Sequence, residues 1–492
     1  MKKSIKVNAI LNLVKSGLAI IFPLITYPYA LRVLGAEGIG KVSYTSSIIS
    51  YFSLIAMLGV STYAIREGSK IRENKEEFSK FVNEVFSINV ITTIISYLLL
   101  IIVIVFFKKL HVYIGLLALQ SLSILFTTLG VDWINTIYED FLKITIRSII
   151  IYVVSLIVLF TLVKKANDIY WYAILTVLTN GIICIFNWIY IKKYVKLRFI
   201  WHNNIKKHLK SLLILFSNAV AISIYVNFDT TMLGWMKGDY SVGLYTVSVK
   251  IYSIVKSLMV AIYSVTLPRL SLYIGNNQID EYKQTFSDLC GYISILLIPC
   301  AIGLINVSKE IMIIMGGEGF GVAASSLKIL SISLIFAIFG GLITAVLNIT
   351  LGMEKENLKA TIYSAFINCI LNLIFIPKFS QNGAAVTTLI SEAFVFVYCF
   401  IKIPNKFRYI DLKKVGKTII KSLIASLSIF FISYIVRNLF NNIIVCIILI
   451  ILISIISYVL ILRILKEEYI LNLNALFKLK LKDWNNRRWN KL

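Results

Sequence analysis

The chain has 492 residues, of which 58% are hydrophobic and only 15% charged, whereas a soluble domain carries about 25% charged residues. Its net charge of +26 would suit a nucleic-acid-binding protein, but the Lys and Arg residues stand in short segments between apolar runs and not on one basic face. Runs of 18 or more apolar residues recur from end to end, each long enough to cross a bilayer. The composition therefore excludes a soluble or nucleic-acid-binding protein and predicts an all-α polytopic membrane protein.

The apolar runs predict about fourteen transmembrane helices. The first run contains a lysine and a proline and has no signal-peptidase site, so we expect it to be a spanning helix and not a cleaved signal peptide. The predicted helices lie at residues 8–31, 39–64, 82–107, 112–136, 144–163, 169–191, 211–235, 241–266, 286–307, 323–351, 358–377, 383–403, 418–436 and 441–463.

The basic residues between these helices predict the orientation of the chain. With a cytoplasmic N-terminus, most Lys and Arg residues fall on the cytoplasmic side, where short basic loops are normally found. The opposite side then receives few: Arg32, Lys41, Lys108, Lys109, Lys164, Lys165, Lys237, Lys309, Lys378 and Arg437. A multi-pass protein with both termini in the cytoplasm is therefore expected.

Two weak internal repeats suggest that the chain contains two similar halves. The segment Asp140–Ser148 resembles Glu356–Ser364, and both open a predicted helix after a turn. The segment Leu34–Gly40, with the pattern Leu-Gly…Ile-Gly, resembles Leu233–Gly243, with the pattern Leu-Gly…Val-Gly. Parallel repeats of this kind are typical of transporters, in which the substrate binds between the halves.

The repeats predict two parallel six-helix bundles plus two C-terminal helices. We expect an N-terminal lobe at 1–200 and a C-terminal lobe at 201–410. Two additional transmembrane helices would occupy 411–463, and a basic cytoplasmic tail would occupy 464–492.

Three lysines inside predicted helices are the first candidates for a functional site. Because a charged side chain in a bilayer is costly, Lys15, Lys250 and Lys256 are predicted to line a cavity for an anionic head group. The alternative is that a lysine extends its ammonium group to the membrane surface. This alternative is strongest for Lys15, which lies about two turns from the cytoplasmic edge.

Five other charged residues are candidates for the cavity or for ion coupling: Arg32, Arg147, Asp229, Lys328 and Glu392. Arg147 and Lys328 lie one turn inside their helices, so contact with lipid headgroups is the alternative for both. Asp229 lies near a helix end, where a surface position is the alternative. Glu392 lies in the middle of a helix and therefore needs an ionic partner, a protonated carboxyl or an aqueous cavity.

The sequence offers no catalytic constellation, metal site or cofactor motif. Its three histidines and six cysteines lack metal-ligand spacing. The glycine-rich segment Gly316–Gly321 lacks the Lys-Ser/Thr of a phosphate-binding loop and predicts a turn. A membrane-bound polymerase or acyltransferase stays an alternative, which short loops without catalytic residues disfavour.

Several stretches, in this order along the chain, resemble one family of membrane proteins. They are Tyr27–Gly40, Phe228–Gly234, Val242–Lys250, Ile314–Phe320, Leu351–Lys359, Asn372–Phe379 and Asn382–Glu392. Through them the chain resembles the polysaccharide-repeat-unit flippases (Wzx type) of the multidrug/oligosaccharidyl-lipid/polysaccharide exporter superfamily.

The resemblance implies alternating access and an undecaprenyl-diphosphate-linked oligosaccharide as substrate, moved to the outer leaflet of a bacterial cytoplasmic membrane. It also implies a polysaccharide polymerase and glycosyltransferases of the same pathway as partners. Intramembrane cations fit the diphosphate of such a substrate. Two transporter alternatives stay open: a flippase for lipid II, the peptidoglycan precursor, and a cation-coupled multidrug exporter, whose cavity should be acidic.

Overall fold

The computed structural model describes residues 5–138, 141–200 and 205–471. The described residues form helices joined by short connections, and none of them belongs to a β-strand. Eleven described segments are long and apolar enough to cross a membrane. Two of these each contain two helices that meet at a non-helical residue, Gly35 or Ser380. The all-α polytopic fold is thus confirmed, and the segments are consistent with about fourteen spanning helices.

Nine helices form the first half of the described chain. They are α1 (Ile5–Met57), α2 (Val60–Ile71), α3 (Lys75–Phe106), α4 (Ile114–Gly130), α5 (Asp132–Ile137), α6 (Phe141–Leu162), α7 (Ile169–Ile191), α8 (Ile205–Lys237) and α9 (Asp239–Ser264). A 3₁₀ turn, Lys108–Tyr113, precedes α4.

Nine more follow in the second half. They are α10 (Leu267–Gly275), α11 (Ile279–Asn306), α12 (Ser308–Gly316), α13 (Ala324–Leu342), α14 (Asn348–Thr350), α15 (Glu354–Lys402), α16 (Lys406–Tyr409), α17 (Leu412–Leu439) and α18 (Ile443–Ile464). A 3₁₀ turn, Glu318–Ala323, precedes α13, and a π-helical segment, Ile343–Leu347, follows it.

Several helices begin one or two turns before the predicted apolar segment. For α3 the reason is its cap: the Asn74 side chain accepts a hydrogen bond from the Glu77 backbone N–H at 3.3 Å. Glu76 and Glu77 also place negative charge in the first turn, where the helix dipole favours it. Hydropathy detects only the part of such a helix that enters lipid, so it misses a polar first turn.

The described chain divides into two compact units. Unit 1 runs to Thr246 and also contains Cys369–Ala384, and unit 2 contains Val247–Asn368 and the described residues from Ala385 onward. This division cuts through α9 and α15, so it does not follow the two predicted six-helix lobes. The lobe arrangement stays a prediction.

Each unit has an apolar interior of its own. In unit 1, α2, α3 and α5 bring together Phe78, Val82 and Ile134, all fully buried. In unit 2, α11 packs against α13 and α17 and buries Tyr282 and Phe286. Large apolar side chains also cover the outer faces of many helices, as expected where a helix contacts lipid instead of water.

Candidate functional site

The clearest charged site in unit 2 joins α9 and the second half of α15. The Lys256 ammonium group donates to Glu392 Oε1 at 2.6 Å. Tyr252, one turn before Lys256 on α9, donates to the same oxygen at 3.1 Å. Glu392 is therefore stabilised by an ionic partner, one of the three solutions expected for a mid-helix carboxylate.

The two charges of this pair are not equally accessible. The Lys256 side chain is 32% exposed, whereas the Glu392 side chain is 8% exposed. More of the accessible surface of this pair therefore belongs to the lysine side chain than to the carboxylate. An anionic group could add to a lysine that keeps some accessible surface, whereas the buried carboxylate offers little surface to a cation.

The other predicted intramembrane cations differ in their surroundings. Lys250 lies on α9 in unit 2 and is partly exposed. Arg32 on α1 and Lys328 on α13 are exposed. Lys15 lies within α1, but its side chain is outside the described residues. A cavity role for these four residues stays a prediction.

Arg147 belongs to a polar network inside unit 1. Its guanidinium donates to Asn187 Oδ1 and, at 3.3 Å, to Asp132 Oδ1. Asn187 also accepts from Asn135 at 2.8 Å and donates to Asp132 at 2.6 Å. The Arg147 side chain is 11% exposed. Its hydrogen bonds connect α6 with α5 and α7.

Asp229 is buried, so the alternative of a surface position is wrong. Only 4% of this residue is exposed. Its carboxylate accepts from Asn372 at 2.6 Å and from Tyr245 at 2.9 Å. The position near the end of α8 suggested a surface, but packing against α9 and the segment Cys369–Ala384 removes it from solvent.

The weak repeat around the first helix break corresponds to a symmetric feature of unit 1. Gly35 interrupts α1 with φ of 69°, and Gly238 separates α8 from α9 with φ of 82°. Both angles lie in the left-handed region that favours glycine. The structure thus pairs Gly35 with Gly238, whereas the sequence pattern had paired it with Gly234.

Two glycines that follow these breaks make reciprocal contacts. Gly40 packs against the backbone carbonyl of Asp239, and Gly243 packs against the backbone carbonyl of Ala36. A methyl group at either glycine would overlap the carbonyl oxygen. The start of the second part of α1 and the start of α9 thus contact each other as a pseudo-twofold pair does.

Sequence reasoning missed a buried polar cluster in unit 1. His208 lies 2.6 Å from the Tyr63 hydroxyl through Nδ1 and 2.9 Å from Glu84 Oε2 through Nε2. A neutral Nε2–H tautomer satisfies both contacts, accepting from Tyr63 and donating to Glu84. His208 lies between two predicted helices, so only its contact with the buried Glu84 on α3 reveals the cluster.

The family of the chain follows from comparison with known proteins. Residues 5–273 match the family described as "Polysaccharide biosynthesis protein", which covers more than half of the chain. The chain belongs to this family. The resemblance drawn from the sequence is confirmed by this family and by the relatives named below.

Named relatives extend the family assignment. A candidate O-antigen transporter of Shigella dysenteriae is 22% identical over 397 residues, covering 80% of this chain and 98% of that protein. The capsular polysaccharide biosynthesis protein CapF of Staphylococcus aureus is 28% identical over 222 residues, covering 43% of this chain and 55% of CapF. This member of the family is thus a multi-pass membrane transporter and not an enzyme.

Solved structures share the fold. The lipid II flippase MurJ in an inward closed conformation has a TM-score of 0.73 at 18% identity, covering 93% of this chain and 100% of MurJ. An inward-facing MATE-family multidrug transporter of the MOP superfamily has a TM-score of 0.58 at 13% identity, covering 81% of this chain and 99% of that one. At these identities the likeness establishes the fold alone.

Proposed function

We propose that the protein is a flippase for undecaprenyl-diphosphate-linked oligosaccharide repeat units. It would move them from the inner to the outer leaflet of a bacterial cytoplasmic membrane for the synthesis of a surface polysaccharide such as capsule or O-antigen. Family membership supports the transport of a lipid-linked glycan, and the names of the relatives refer to O-antigen and capsular polysaccharide. The polymerase and glycosyltransferases of the same pathway are the proposed functional partners.

The unequal exposure of the Lys256–Glu392 pair carries the substrate assignment. We assign the ammonium of the partly exposed Lys256 side chain to the diphosphate, and its hydrogen bond to Glu392 orients it. Lys250, six residues earlier on α9 and partly exposed, is the second proposed contact, and Lys15 the third. A multidrug exporter for cations would need the opposite exposure, with the carboxylate more accessible than the lysine.

We also propose that transport occurs by alternating access and that the reciprocal glycine contact belongs to a closed state. The contact brings backbone against backbone at Gly40 and Gly243, which gives tight packing without bulky side chains. Opening would separate these segments as rigid helices. Asp229 and Glu392 are the proposed coupling residues, because a buried carboxylate changes its interactions when it gains or loses a proton or an ion.

Deletion of the gene in its native host tests the proposed function. Surface polysaccharide should disappear, and undecaprenyl-linked repeat units should accumulate with their sugars on the cytoplasmic side. Sensitivity to cationic dyes should not change. The measurements are polysaccharide staining, mass spectrometry of extracted lipid-linked sugars, and dye inhibition zones.

Two other outcomes would assign a different transporter. Raised dye sensitivity with intact polysaccharide would overturn the flippase assignment in favour of a drug exporter. Accumulation of lipid II with arrested wall synthesis would identify the peptidoglycan precursor as the substrate.

A further inference from the structure

A groove lined by polar and aromatic side chains lies between α10 and the first four turns of α11 in unit 2. It has a volume of 460 Å³, within the range typical of small-ligand sites. One wall is formed by Arg269 and Tyr273, one turn apart on α10. The other is a stripe along α11 from Glu281 to Tyr292, about 16 Å long. None of these residues belongs to the Lys256–Glu392 pair.

Several hydrogen-bonding groups in the groove are unused. Within the described part of the chain, the side chains of Glu281, Gln284, Thr285 and the Tyr292 hydroxyl bond to no other protein group. Gln284 and Thr285 lie three and four residues after Glu281, and Tyr292 lies seven residues after Thr285, so the four face the same side of α11. Together they offer a carboxylate, an amide and two hydroxyls to one ligand.

The charges at the groove nearly cancel. The guanidinium of Arg269 donates to the Tyr273 hydroxyl at 2.8 Å, and the carboxylate of Glu281 lines the same groove. Asp288, which also lines the groove, is neutralised by the Lys414 ammonium at 2.8 Å. A phosphate would meet two carboxylates and only one unpaired cation, so the groove favours an uncharged ligand.

Uncharged ligands rich in both donors and acceptors are polyhydroxyl compounds. A sugar ring presents hydroxyls that can pair with Glu281, Gln284 and Thr285, while its C–H face can pack against an aromatic ring. Tyr292 supplies such a ring, which is 38% exposed and held by the Tyr469 ring at a centroid distance of 4.7 Å. A groove of this length can take more than one ring.

We propose that this groove binds the uncharged sugars of the lipid-linked oligosaccharide, away from the site for its diphosphate. The proposal rests on the flippase function proposed above and deepens it. It assigns recognition of the glycan to side chains of α10 and α11, so these residues would determine which repeat units the transporter accepts.

Saturation-transfer NMR on the full-length protein in nanodiscs tests this site. The probes are the free oligosaccharide released by mild acid from the host's lipid-linked pool, and inorganic phosphate. The oligosaccharide should receive saturation from the wild-type protein. Tyr292→Ala and Gln284→Ala should each weaken binding about two- to tenfold, as expected for one lost neutral hydrogen bond or more. Lys283→Ala, on the same turn but outside the groove lining, is the matched control and should bind as the wild type does.

Three results would overturn the assignment: no transfer to the oligosaccharide, equal binding by the groove variants and the wild type, or displacement of the oligosaccharide by phosphate. Polysaccharide export by the wild-type gene is measured in parallel. If export requires the gene but the oligosaccharide does not bind, the groove proposal alone fails. If export does not require the gene, the proposed function fails first.

Discussion

The Lys256–Glu392 pair combines a structural and a functional role, and the two can be separated by substitution. Lys256→Met leaves a nearly buried carboxylate without its counter-ion, which typically costs about 3–5 kcal/mol. The double variant Lys256→Met/Glu392→Met removes both charges and should recover most of that loss. We expect a lower midpoint of thermal unfolding for the single variant than for the double one, and no polysaccharide export by either. Normal export by the stable double variant would show that the ammonium does not bind substrate.

The His208 cluster predicts a graded loss of stability. His208→Leu leaves the Glu84 carboxylate buried without its main donor, and a loss of about 3 kcal/mol is expected, the upper end for a buried acceptor left unsatisfied. Tyr63→Phe removes one neutral hydrogen bond and should cost about 1 kcal/mol. Thermal unfolding of the purified variants measures both effects.

Lys207 provides the control for that series. It lies 3.9 Å from Glu84, but its side chain is 63% exposed, so Lys207→Ala should change stability by about 1 kcal/mol or less. Equal losses for Lys207→Ala and His208→Leu would contradict a dominant role for the histidine.

The sequence identified charged residues that are candidates for the site, but it did not predict which residues they contact. Glu392 could be singled out because a mid-helix carboxylate is rare and costly. Its pairing with Lys256 joins positions far apart in the chain, and spacing within one helix cannot reveal such a contact. For Asp229 the position near a helix end was misleading, because burial depends on the neighbouring helices.

Among the helical elements, the reciprocal glycine contact makes the sharpest prediction. In Gly40→Ala or Gly243→Ala the added methyl group overlaps a backbone carbonyl, which cannot move without its helix. The gain in helix propensity of about 1 kcal/mol does not offset such an overlap. We expect loss of polysaccharide export at normal protein level. A cysteine introduced by Ser241→Cys should also react faster with a membrane-impermeant thiol reagent, because the segments are forced apart.

Gly303→Ala on α11 is the matched control for this pair. No heavy atom lies within 4 Å of a methyl group at that position, so export and thiol reactivity should match the wild type. If all three glycine variants export normally, the close contact is not required in the transport cycle.

The helices themselves were largely predictable because lipid imposes a simple rule. A backbone in hydrocarbon must satisfy its own hydrogen bonds, so a long apolar run becomes a helix. The breaks between helices were only partly predictable. Gly35 lies in a predicted turn, whereas Leu58 and Gly59 interrupt a segment predicted to be continuous. Hydropathy also failed to predict short amphipathic helices such as α2 and α10, because their polar faces lower the mean hydropathy.

For the molecule as a whole, fold and family could be anticipated from the sequence, but the groove between α10 and α11 could not. Arg269 and Tyr273 stand in a segment taken as a loop, and the stripe from Glu281 to Tyr292 begins before the predicted helix. The chain turns between α10 and α11, and this turn brings the side chains of both helices to one groove.

The topology of the molecule gives the final prediction. The excess of Lys and Arg in alternate connections predicts both termini in the cytoplasm, because basic loops are retained on that side during insertion. Reporter fusions after Lys237 and Lys378 should therefore be active outside the cytoplasm, and fusions after Lys210 and Lys406 inside it. Lys237 and Lys210 lie at opposite ends of the single helix α8, so each fusion serves as the control for the other. A reversed result at both sites would invert the orientation, and the same side for both would show that α8 does not cross the membrane.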